Sequence, residues 1–394
     1  MIILGIETSC DETAAAIIEG KNARAKNLLS VRSNVVSSQI DIHKKYGGVV
    51  PEIAAREHVL NILPVVNEAL EKANLTPRPL PASPAGRLAR RGGAKGRGID
   101  AIAVTFGPGL ITSLIVGIET AKVLSHVWGV PLIGINHIEG HIYANFVGVN
   151  PKSKISNPKQ IQNLKSKISD IKFPALILTV SGGHTMLVLM TGHGKYKIIG
   201  DTRDDAAGEA FDKAAKLLGI GYPGGPAVAA EAIKSKVKSQ KSKVILPRPM
   251  INSGDYDFSF SGLKTALFYQ LKKDPLRLAE GEASKDWKKN IPEYCAEFQQ
   301  AVVDVLISKT IKAAKELKVK TVMLSGGVSA NQELRKQMEE KVKTELPKIQ
   351  YLAPNIQYTT DNAVMVATAG YFRALREDFI DWKKIKVNPN LELR

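Results

Sequence analysis

Two histidines four residues apart are the side chains best suited to chemistry in this 394-residue chain. They are His137 and His141, in the segment IGINHIEGHIYAN. If this segment is helical, both imidazoles project from one face and can bind one metal ion. With seven histidines in the chain, such a pair arises by accident in on the order of one chain in eight. The spacing alone therefore suggests a metal site, but chance or a pair of core histidines would also explain it.

The pair shares its spacing with the HExxH box of zinc peptidases but lacks the catalytic base of that box. A zinc peptidase needs Glu directly after the first histidine, and Ile138 occupies that place. Glu139 would point to another side of the helix. A metallopeptidase is therefore kept only as a disfavoured alternative.

A third metal ligand would come from a loop elsewhere in the chain. Asp361, in QYTTDNAVM, stands just before an apolar helical pattern. Because Asp is also a common residue at helix N-caps, the residues alone favour a capping role for Asp361.

Four glycine-containing or polar turns follow apolar segments, namely ETSCDET, FGPGL, VSGGHT and SGGVSAN. Glycine lets the backbone approach a phosphate closely, and open α/β sheets bind ligands at their strand ends. Residues 181–185, in VSGGHT, could cradle a phosphate with their N–H groups. A plain hairpin turn explains the same residues about as well.

Two further polar residues and one thiol have open interpretations. Asp212 lies on a predicted helix that leads to Gly224 and Gly225, so its carboxylate could bind a ribose or could simply be solvated. Asn331 begins a helix after a glycine-rich turn, which suits a ligand-binding amide or a helix cap. Cys10 is interpreted as a small structural residue rather than a reactive thiol.

The elements that must position these residues repeat along the chain. The first half reads as three strands, a helix over 51–72, the buried strand IDAIAVTF and the helix ITSLIVGIETAKVLSHVW. The second half reads as the strands ALILTV, MLVLM and YKIIG, helices near 208–218 and 292–317, the strand TVMLS and the helix ANQELRKQMEEKV. This repetition predicts two duplicated α/β lobes that face each other across a cleft.

The composition indicates a globular protein of the cytoplasm. The chain is 44% hydrophobic and 24% charged, which suffices for two packed cores. Neither a signal-peptide pattern nor an apolar run of transmembrane length is found, so we expect no membrane association. Two cysteines, Cys10 and Cys295, cannot form a disulfide framework, which suits a reducing compartment.

The formal charge of +17 is concentrated in three low-complexity segments. Residues 76–98, 151–172 and 233–247 carry +6, +5 and +5, and they supply 16 of the 17 net charges. Their Pro, Gly, Ser and Lys content favours solvated, disordered insertions over a dedicated nucleic-acid arm.

Taken together, the motifs resemble one known family. They are GIETSCDETAAA, SSQIDIHKKYGGVVPEIAAREH, FGPGLITSLIVG, NHIEGH, VSGGHT, DDAAGEAFDK, YPGGP, FSFSGLKTAL, SGGVSANQELR and TTDNAVM. In this order they resemble the tRNA N6-adenosine threonylcarbamoyltransferases, called TsaD in bacteria, and the second motif looks like the bacterial branch. The resemblance runs from residue 1 to about 375 and is interrupted mainly by the three basic insertions.

The resemblance implies a fold and a reaction. The fold is the ribonuclease H-like architecture of actin, Hsp70 and sugar kinases. The reaction is an acyl-type transfer, from threonylcarbamoyl-adenylate to N6 of adenosine 37, in tRNAs that read codons beginning with A, with release of AMP. The resemblance also implies tRNA as a substrate and two bacterial partners, the TsaB paralogue and the TsaE ATPase.

The resemblance assigns roles to the candidate residues. One divalent metal ion per subunit is expected, with Fe²⁺ favoured and Zn²⁺ as the alternative. Its ligands are expected to be His137, His141 and Asp361, so the resemblance favours a metal-binding role for Asp361 over a capping role. Acidic residues at matching positions in the family are implicated in catalysis. We hypothesise that Asp11 helps remove the proton from the attacking amine, with support from Glu12, and the alternative is that both only shape the turn or hold water near the metal. The residues expected at the adenylate site are Thr179, Val180, Ser181, Gly182, Gly183, Asp212, Gly225 and Asn331.

These predictions give a domain plan and leave alternatives open. We expect an N-terminal lobe over 1–150, a C-terminal lobe over 173–350, and a C-terminal segment over 351–394 that carries the metal ligand and a closing helix. A small-molecule kinase of the same fold would carry Asp where Glu7 stands and would not need the histidine pair. A regulatory paralogue without catalysis would be expected to lack the metal triad.

Overall fold

The computed structural model describes residues 1–23, 26–75, 98–147, 171–235, 244–273 and 287–394. The chain divides into two compact units. The first unit comprises Met1–Gln39, Val49–Asp170 and Asp361–Leu393, and the second comprises Ile40–Gly48, Ile171–Thr360 and Arg394. The three predicted basic insertions, 76–98, 151–172 and 233–247, lie largely outside the described residues.

The first unit is built on a five-stranded mixed sheet with the order β3-β2-β1-β4-β5. Strands β1 to β3 are antiparallel, whereas β4 and β5 run parallel to β1. The strands are β1 Ile2–Glu7, β2 Glu12–Ala23, β3 Lys26–Ser38, β4 Ala101–Gly107 and β5 Leu132–Asn136. The helices are α2 Pro51–Lys72, α3 Ile111–Trp128, α4 His137–Tyr143 and α10 Ala363–Ala374, where α1 is the short helix Ile40–His43 of the second unit.

The second unit repeats this plan. Its sheet has the order β10-β9-β6-β7-β8, in which β6 pairs antiparallel with β7 and parallel with β9. The strands are β6 Ala175–Val180, β7 Thr185–Gly192, β8 Lys195–Asp201, β9 Thr321–Ser325 and β10 Gln350–Leu352. The helices are α1, α5 Ala207–Leu218, α6 Gly224–Ile233, α7 Ser261–Lys273, α8 Ile291–Glu316 and α9 Gln332–Glu345.

The two sheets have the same connectivity, because an antiparallel meander of three strands is followed in each by two parallel strands on the other side. This confirms the predicted duplication of a ribonuclease H-like α/β unit. The short strands β5 and β10 were not among the predicted elements.

Helix α10 is the element of the first unit that most affects the candidate site. Leu4 and Ile6 of β1 pack with residues of α2 and α3, so the alternate residues of this strand point to the other face. There Gly5 lies against Ala363 and Ala367, and Gly370 lies against β4, because neither glycine has a side chain to hold the helix away. Helix α10 is therefore buried against the sheet, and Asp361 immediately precedes it.

The units divide the C-terminal region differently from the predicted segment 351–394. Residues up to Thr360 belong to the second unit and Asp361–Leu393 to the first. The physical reason is that α10 packs on β1, β2 and β4 of the first sheet.

None of the helices in the described ranges combines the length and the apolar character needed to cross a bilayer.

Candidate functional site

The sheet of the first unit brings three polar residues to one edge. Glu7 ends β1, Thr105 lies near the end of β4, and His137 follows the last residue of β5. Because these three strands are parallel neighbours, their carboxyl ends meet at the same edge of the sheet. The Thr105 hydroxyl donates a hydrogen bond of 2.7 Å to Glu7 Oε2, which itself lies 3.3 Å from His137 Nδ1.

The three predicted metal ligands lie together within the first unit. His137 and His141 project from α4, and Asp361 stands ahead of α10. Asp361 Oδ1 is 3.5 Å from His137 Nε2 and 3.2 Å from His141 Nε2. One donor atom from each residue lies within 4.8 Å of the others, so the three residues can hold one metal ion.

The helix caps explain why the ligands stand where they do. The buried Asn136 side chain accepts hydrogen bonds from Ile138 N and Glu139 N and begins α4 one residue before His137. Asn362 accepts a bond of 3.1 Å from Met365 N and caps α10. The capping interpretation of Asp361 is therefore wrong, because its neighbour Asn362 fills that role.

The chemistry of the donors fits a divalent cation. His141 is 1% exposed, and neither of its ring nitrogens has a hydrogen-bond partner among the described residues. A buried polar atom without a partner is costly, whereas a metal ligand uses its lone pair. Two imidazoles and one carboxylate suit iron and zinc alike.

His137 is held from behind by residues of β1 and the turn that follows it. Its Nδ1 lies 3.0 Å from Ser9 Oγ in addition to the contact with Glu7, so Nε2 remains on the side of Asp361. Burial disfavours the charged imidazole, but the carboxylates of Asp361 and Glu7 outweigh it and raise the pKa of His137 to about 9. Burial likewise disfavours the charged form of Glu7, yet His137 lowers the pKa of Glu7 below its ordinary value.

The predicted catalytic carboxylates, Asp11 and Glu12, lie in the turn between β1 and β2 and are 8% and 9% exposed. Ser38 Oγ donates a hydrogen bond of 3.4 Å to Glu12 Oε1. Burial, followed by the negative charges of Asp361 and Asp11, raises the pKa of Glu12 well above its ordinary value.

Other residues of the first unit support this turn. A side chain at Gly109 would lie 2.6 Å from Ser9 O, so the FGPGL turn approaches it closely only because position 109 is glycine. Leu110 N donates a hydrogen bond of 2.8 Å to Ser9 O. Burial and the charge of Asp11 raise the pKa of Cys10 well above its usual range, which favours the unreactive thiol.

In the second unit, the predicted residues 179–183 form the end of β6 and the turn to β7. Thr179 Oγ1 lies 2.8 Å from Ser325 Oγ, at the carboxyl ends of neighbouring parallel strands. Ser181 closes the turn by donating from its N–H to His184 O at 2.8 Å. Cβ atoms added at Gly182 and Gly183 would meet nothing within 4 Å, whereas a Cβ on Gly208 would lie 2.8 Å from Gly182 Cα.

The remaining predicted adenylate residues have local partners in the same unit. Asp212 Oδ1 accepts a hydrogen bond of 2.7 Å from Gly224 N and thereby joins α5 to the beginning of α6, where Gly225 lies. Asn331 caps α9 through Leu334 N, and its Nδ2 donates a bond of 2.7 Å to Gln299 Oε1. The cap interpretation of Asn331 is confirmed, and its contact with a ligand stays a prediction.

Sequence reasoning missed the residues that hold the ligands in place. The positions of Glu7 and Thr105 at the ends of apolar strands are a signal that could have placed them beside the histidines. Arg373 donates from Nε to Glu139 Oε2 at 2.9 Å across 234 residues of sequence, and no local pattern points to it.

Comparisons with known proteins identify the family of the chain. The sequence model of the TsaD family, described as tRNA N6-adenosine threonylcarbamoyltransferase, matches residues 30–82 and 87–368. A protein of that name from Dehalococcoides mccartyi is 47% identical over 97% of each chain. Those from Geobacillus thermodenitrificans and Thermosipho africanus are 42% and 43% identical, over 99% and 100% of this chain and 96% and 100% of their own. The chain therefore belongs to the tRNA N6-adenosine threonylcarbamoyltransferase family, and it is a transferase that modifies tRNA.

Proposed function

We propose that this transferase takes the threonylcarbamoyl group from threonylcarbamoyl-adenylate and places it on N6 of adenosine 37, in tRNAs that read codons beginning with A. The adenine N6 attacks the carbamoyl carbonyl, the bond from that carbon to the phosphate oxygen breaks, and AMP leaves. The observation that carries this proposal is the convergence of His137, His141 and Asp361 in a chain of this family.

The three ligands would hold one divalent cation per subunit, with Fe²⁺ favoured by the family resemblance and Zn²⁺ as the alternative. When bound, such a cation supplies orientation of the substrate and polarisation of the carbonyl under attack. Glu7 holds His137 at Nδ1 and leaves Nε2 as a ligand, which is the usual role of a carboxylate behind a metal-binding histidine.

In the second unit we propose an adenylate site made of Thr179, Val180, the turn 181–183, Asp212, Gly225 and Asn331. Open space at the Cβ positions of Gly182, Gly183 and Gly225 supports this assignment, because a phosphate or ribose can approach where no Cβ intervenes. Asp212 already accepts one hydrogen bond from Gly224 N, so its carboxylate is oriented before a ligand arrives.

Asp11 is the proposed acceptor of the proton that leaves the attacking amine, and Glu12 supports it. The support for a joint role is that Asp11 and Glu12 are neighbours in one turn and are both largely buried. The test is Asp11→Ala, which we expect to slow transfer while substrate binding persists. An unchanged transfer rate with normal binding would contradict the role.

We propose that the chain acts in the cytoplasm with a TsaB-type paralogue and a TsaE-type ATPase. Large apolar side chains exposed on α2 and α3 support a protein partner, since such patches mark interaction surfaces. They are Val59, Leu60, Leu63, Ile111, Ile115 and Val123. We assign the TsaB-type paralogue to this α2–α3 face. For the basic segment 151–172, supplementary contact with tRNA is the alternative to a solvated insertion or to obstruction of a partner surface.

The deciding experiment is reconstitution of the reaction. The protein and its bacterial partners are incubated with threonylcarbamoyl-adenylate and unmodified tRNA, and the nucleosides are then analysed by mass spectrometry. We expect threonylcarbamoyl-adenosine from the wild type and a large loss with His141→Ala. No product under conditions in which the Thermosipho africanus relative succeeds would refute the assignment.

A deletion tests the tRNA contact separately. Removing residues 151–172 is expected to lower the salt dependence of tRNA affinity, because fewer counterions are then released on binding. An unchanged slope of affinity against salt would remove the electrostatic role of this segment.

A further inference from the structure

A buried ion pair joins the two elements that carry the metal ligands. Arg373, in the last turn of α10, reaches Glu139 Oε2 with Nε at 2.9 Å and with Nη2 at 2.8 Å. The Glu139 side chain is 0% exposed and that of Arg373 is 23% exposed. From this pair we infer a positioning device: Glu139 and Arg373 set the rotation of α4 about its own axis and thereby align the ligands. The inference rests on the proposed metal site.

The position of Glu139 on the helix gives it this leverage. A helix turns by about 100° per residue, so His137 and His141 lie within about 40° of each other. Glu139, two residues from each, lies about 160° away on the far side of α4. A force on Glu139 therefore rotates both imidazoles together.

The other contacts between α4 and α10 are less directional. Gly140 presents no side chain, and a Cβ there would lie 3.4 Å from Met365 Cγ. Tyr143 stacks on Phe372 with ring centroids 5.0 Å apart. Apolar packing of this kind tolerates small rotations, whereas two N–H groups of a planar guanidinium directed at one oxygen do not.

The Glu139–Arg373 pair also relates the two ends of α10 to the metal ligands. Asp361 stands at the start of α10 and Arg373 in its last turn, while α4 contacts both ends of α10 through Met365 and Phe372. Fixing Glu139 at one end of α10 therefore fixes where the imidazoles lie relative to Asp361 at the other. Arg373 also binds the Asp378 carboxylate at 3.0 Å, which orients the guanidinium independently of Glu139.

The variants are Glu139→Gln, Arg373→Met and the conservative Arg373→Lys, each in the full-length chain stripped of metal by a chelator. The probe is Co²⁺ alone, with its dissociation constant and visible absorption spectrum measured by titration. Thermal unfolding with chelator present is recorded separately, so that affinity is compared among folded proteins at a temperature below every transition.

A second buried pair provides the matched control. Glu297 and Arg248 in the second unit have side-chain exposures of 4% and 22%, close to those of the Glu139 pair. Glu297→Gln removes the same kind of interaction at a position that is distant in sequence from the three proposed metal ligands. It is expected to lower the unfolding temperature and to leave Co²⁺ binding unchanged.

We expect Glu139→Gln and Arg373→Met each to weaken Co²⁺ binding on the order of 10- to 100-fold, as for other residues that orient metal ligands. The double variant should bind no more weakly than the worse single variant, because both remove one interaction. Arg373→Lys, which keeps the charge but loses the fork, should fall between them and the wild type.

Two results overturn the inference, and they are distinguishable from failure of the proposed site. Wild-type affinity and spectrum in Glu139→Gln and Arg373→Met, or an equal loss in Glu297→Gln, would refute the positioning role alone. No Co²⁺ binding by the wild type would refute the metal site itself, and the inference with it.

Discussion

Replacing Gly225 by Ala separates ligand binding from folding in the second unit. Gly225 has helical backbone near the start of α6, and a Cβ there would meet nothing within 4 Å. Its neighbour Gly224 differs, since a Cβ on that residue would lie 2.5 Å from Asp212 Cα and as close to Phe211 O. The two adjacent glycines therefore have different reasons to be glycine.

The magnitudes follow from these surroundings. Gly225→Ala should stabilise the protein by about 0.4–1 kcal/mol, because Ala has less backbone freedom to lose on folding. For a unit of this size, that corresponds to a rise in Tm of roughly 1–4 °C. If the new methyl group displaces one hydrogen bond to a charged phosphate, about 1.5–3 kcal/mol of binding is lost. The dissociation constant for AMP would then rise about 10- to 150-fold.

The assay is calorimetric titration with AMP, paired with thermal unfolding in the absence of nucleotide. Gly254→Ala is the matched control, because Gly254 lies in the same unit with equally open surroundings and outside the predicted site. It should show a similar small stabilisation and bind AMP as the wild type does. Wild-type AMP affinity in Gly225→Ala would refute the assignment of Gly225 to the adenylate site.

Three further predictions concern stability, partner binding and the metal. A hydrogen bond from Ser253, aided by Lys309, lowers the pKa of Asp255 to about 2; its contribution to stability is present above the ordinary carboxyl pKa and is lost as pH falls towards 2. Urea unfolding midpoints of Asp255→Asn should therefore fall less steeply between about pH 4 and pH 2 than those of the wild type. The control is Asp41→Asn, at an exposed carboxylate, and its midpoints should follow those of the wild type. The Leu60 side chain is 68% exposed. Leu60→Glu should therefore weaken binding of the TsaB-type paralogue by about tenfold or more and leave the Tm unchanged. Unchanged binding would show that α2 is not part of that interface. Chelator treatment should abolish transfer and Fe²⁺ should restore it, whereas restoration by Zn²⁺ alone would identify zinc.

Much of the fold could be predicted because its signals are local. The helix Pro51–Lys72 has the predicted bounds, since Pro favours the first turn of a helix and an apolar stripe continues to its end. Strand β5, Leu132–Asn136, escaped prediction because its five residues run directly into α4 without a turn residue. A short apolar run of this kind cannot be told from a buried helix by periodicity.

The site was predicted where spacing carries the information and missed where only topology does. His137 and His141 are one helical turn apart, so their convergence follows from the helix alone. Glu7 and Thr105 meet His137 because parallel strands place their carboxyl ends together, which requires the strand order. Glu139 is a different case. The helix geometry excludes it as a peptidase base, but nothing in the local sequence indicates that it pairs with Arg373.

The electrostatics of the first unit argue for a cation more strongly than the histidine spacing does. His141 is 1% exposed, and the partly exposed Asp361 lies within 3.5 Å of both histidines. Burying ionisable groups costs several kcal/mol each unless they are paired, and a site needed only for packing would hold apolar residues instead. His141 makes no hydrogen bond among the described residues, and the carboxylate 3.2 Å from its Nε2 is that of Asp361, itself a predicted ligand. A divalent cation compensates both imidazoles and the carboxylate at once, which gives a physical reason for a cluster that folding alone would disfavour.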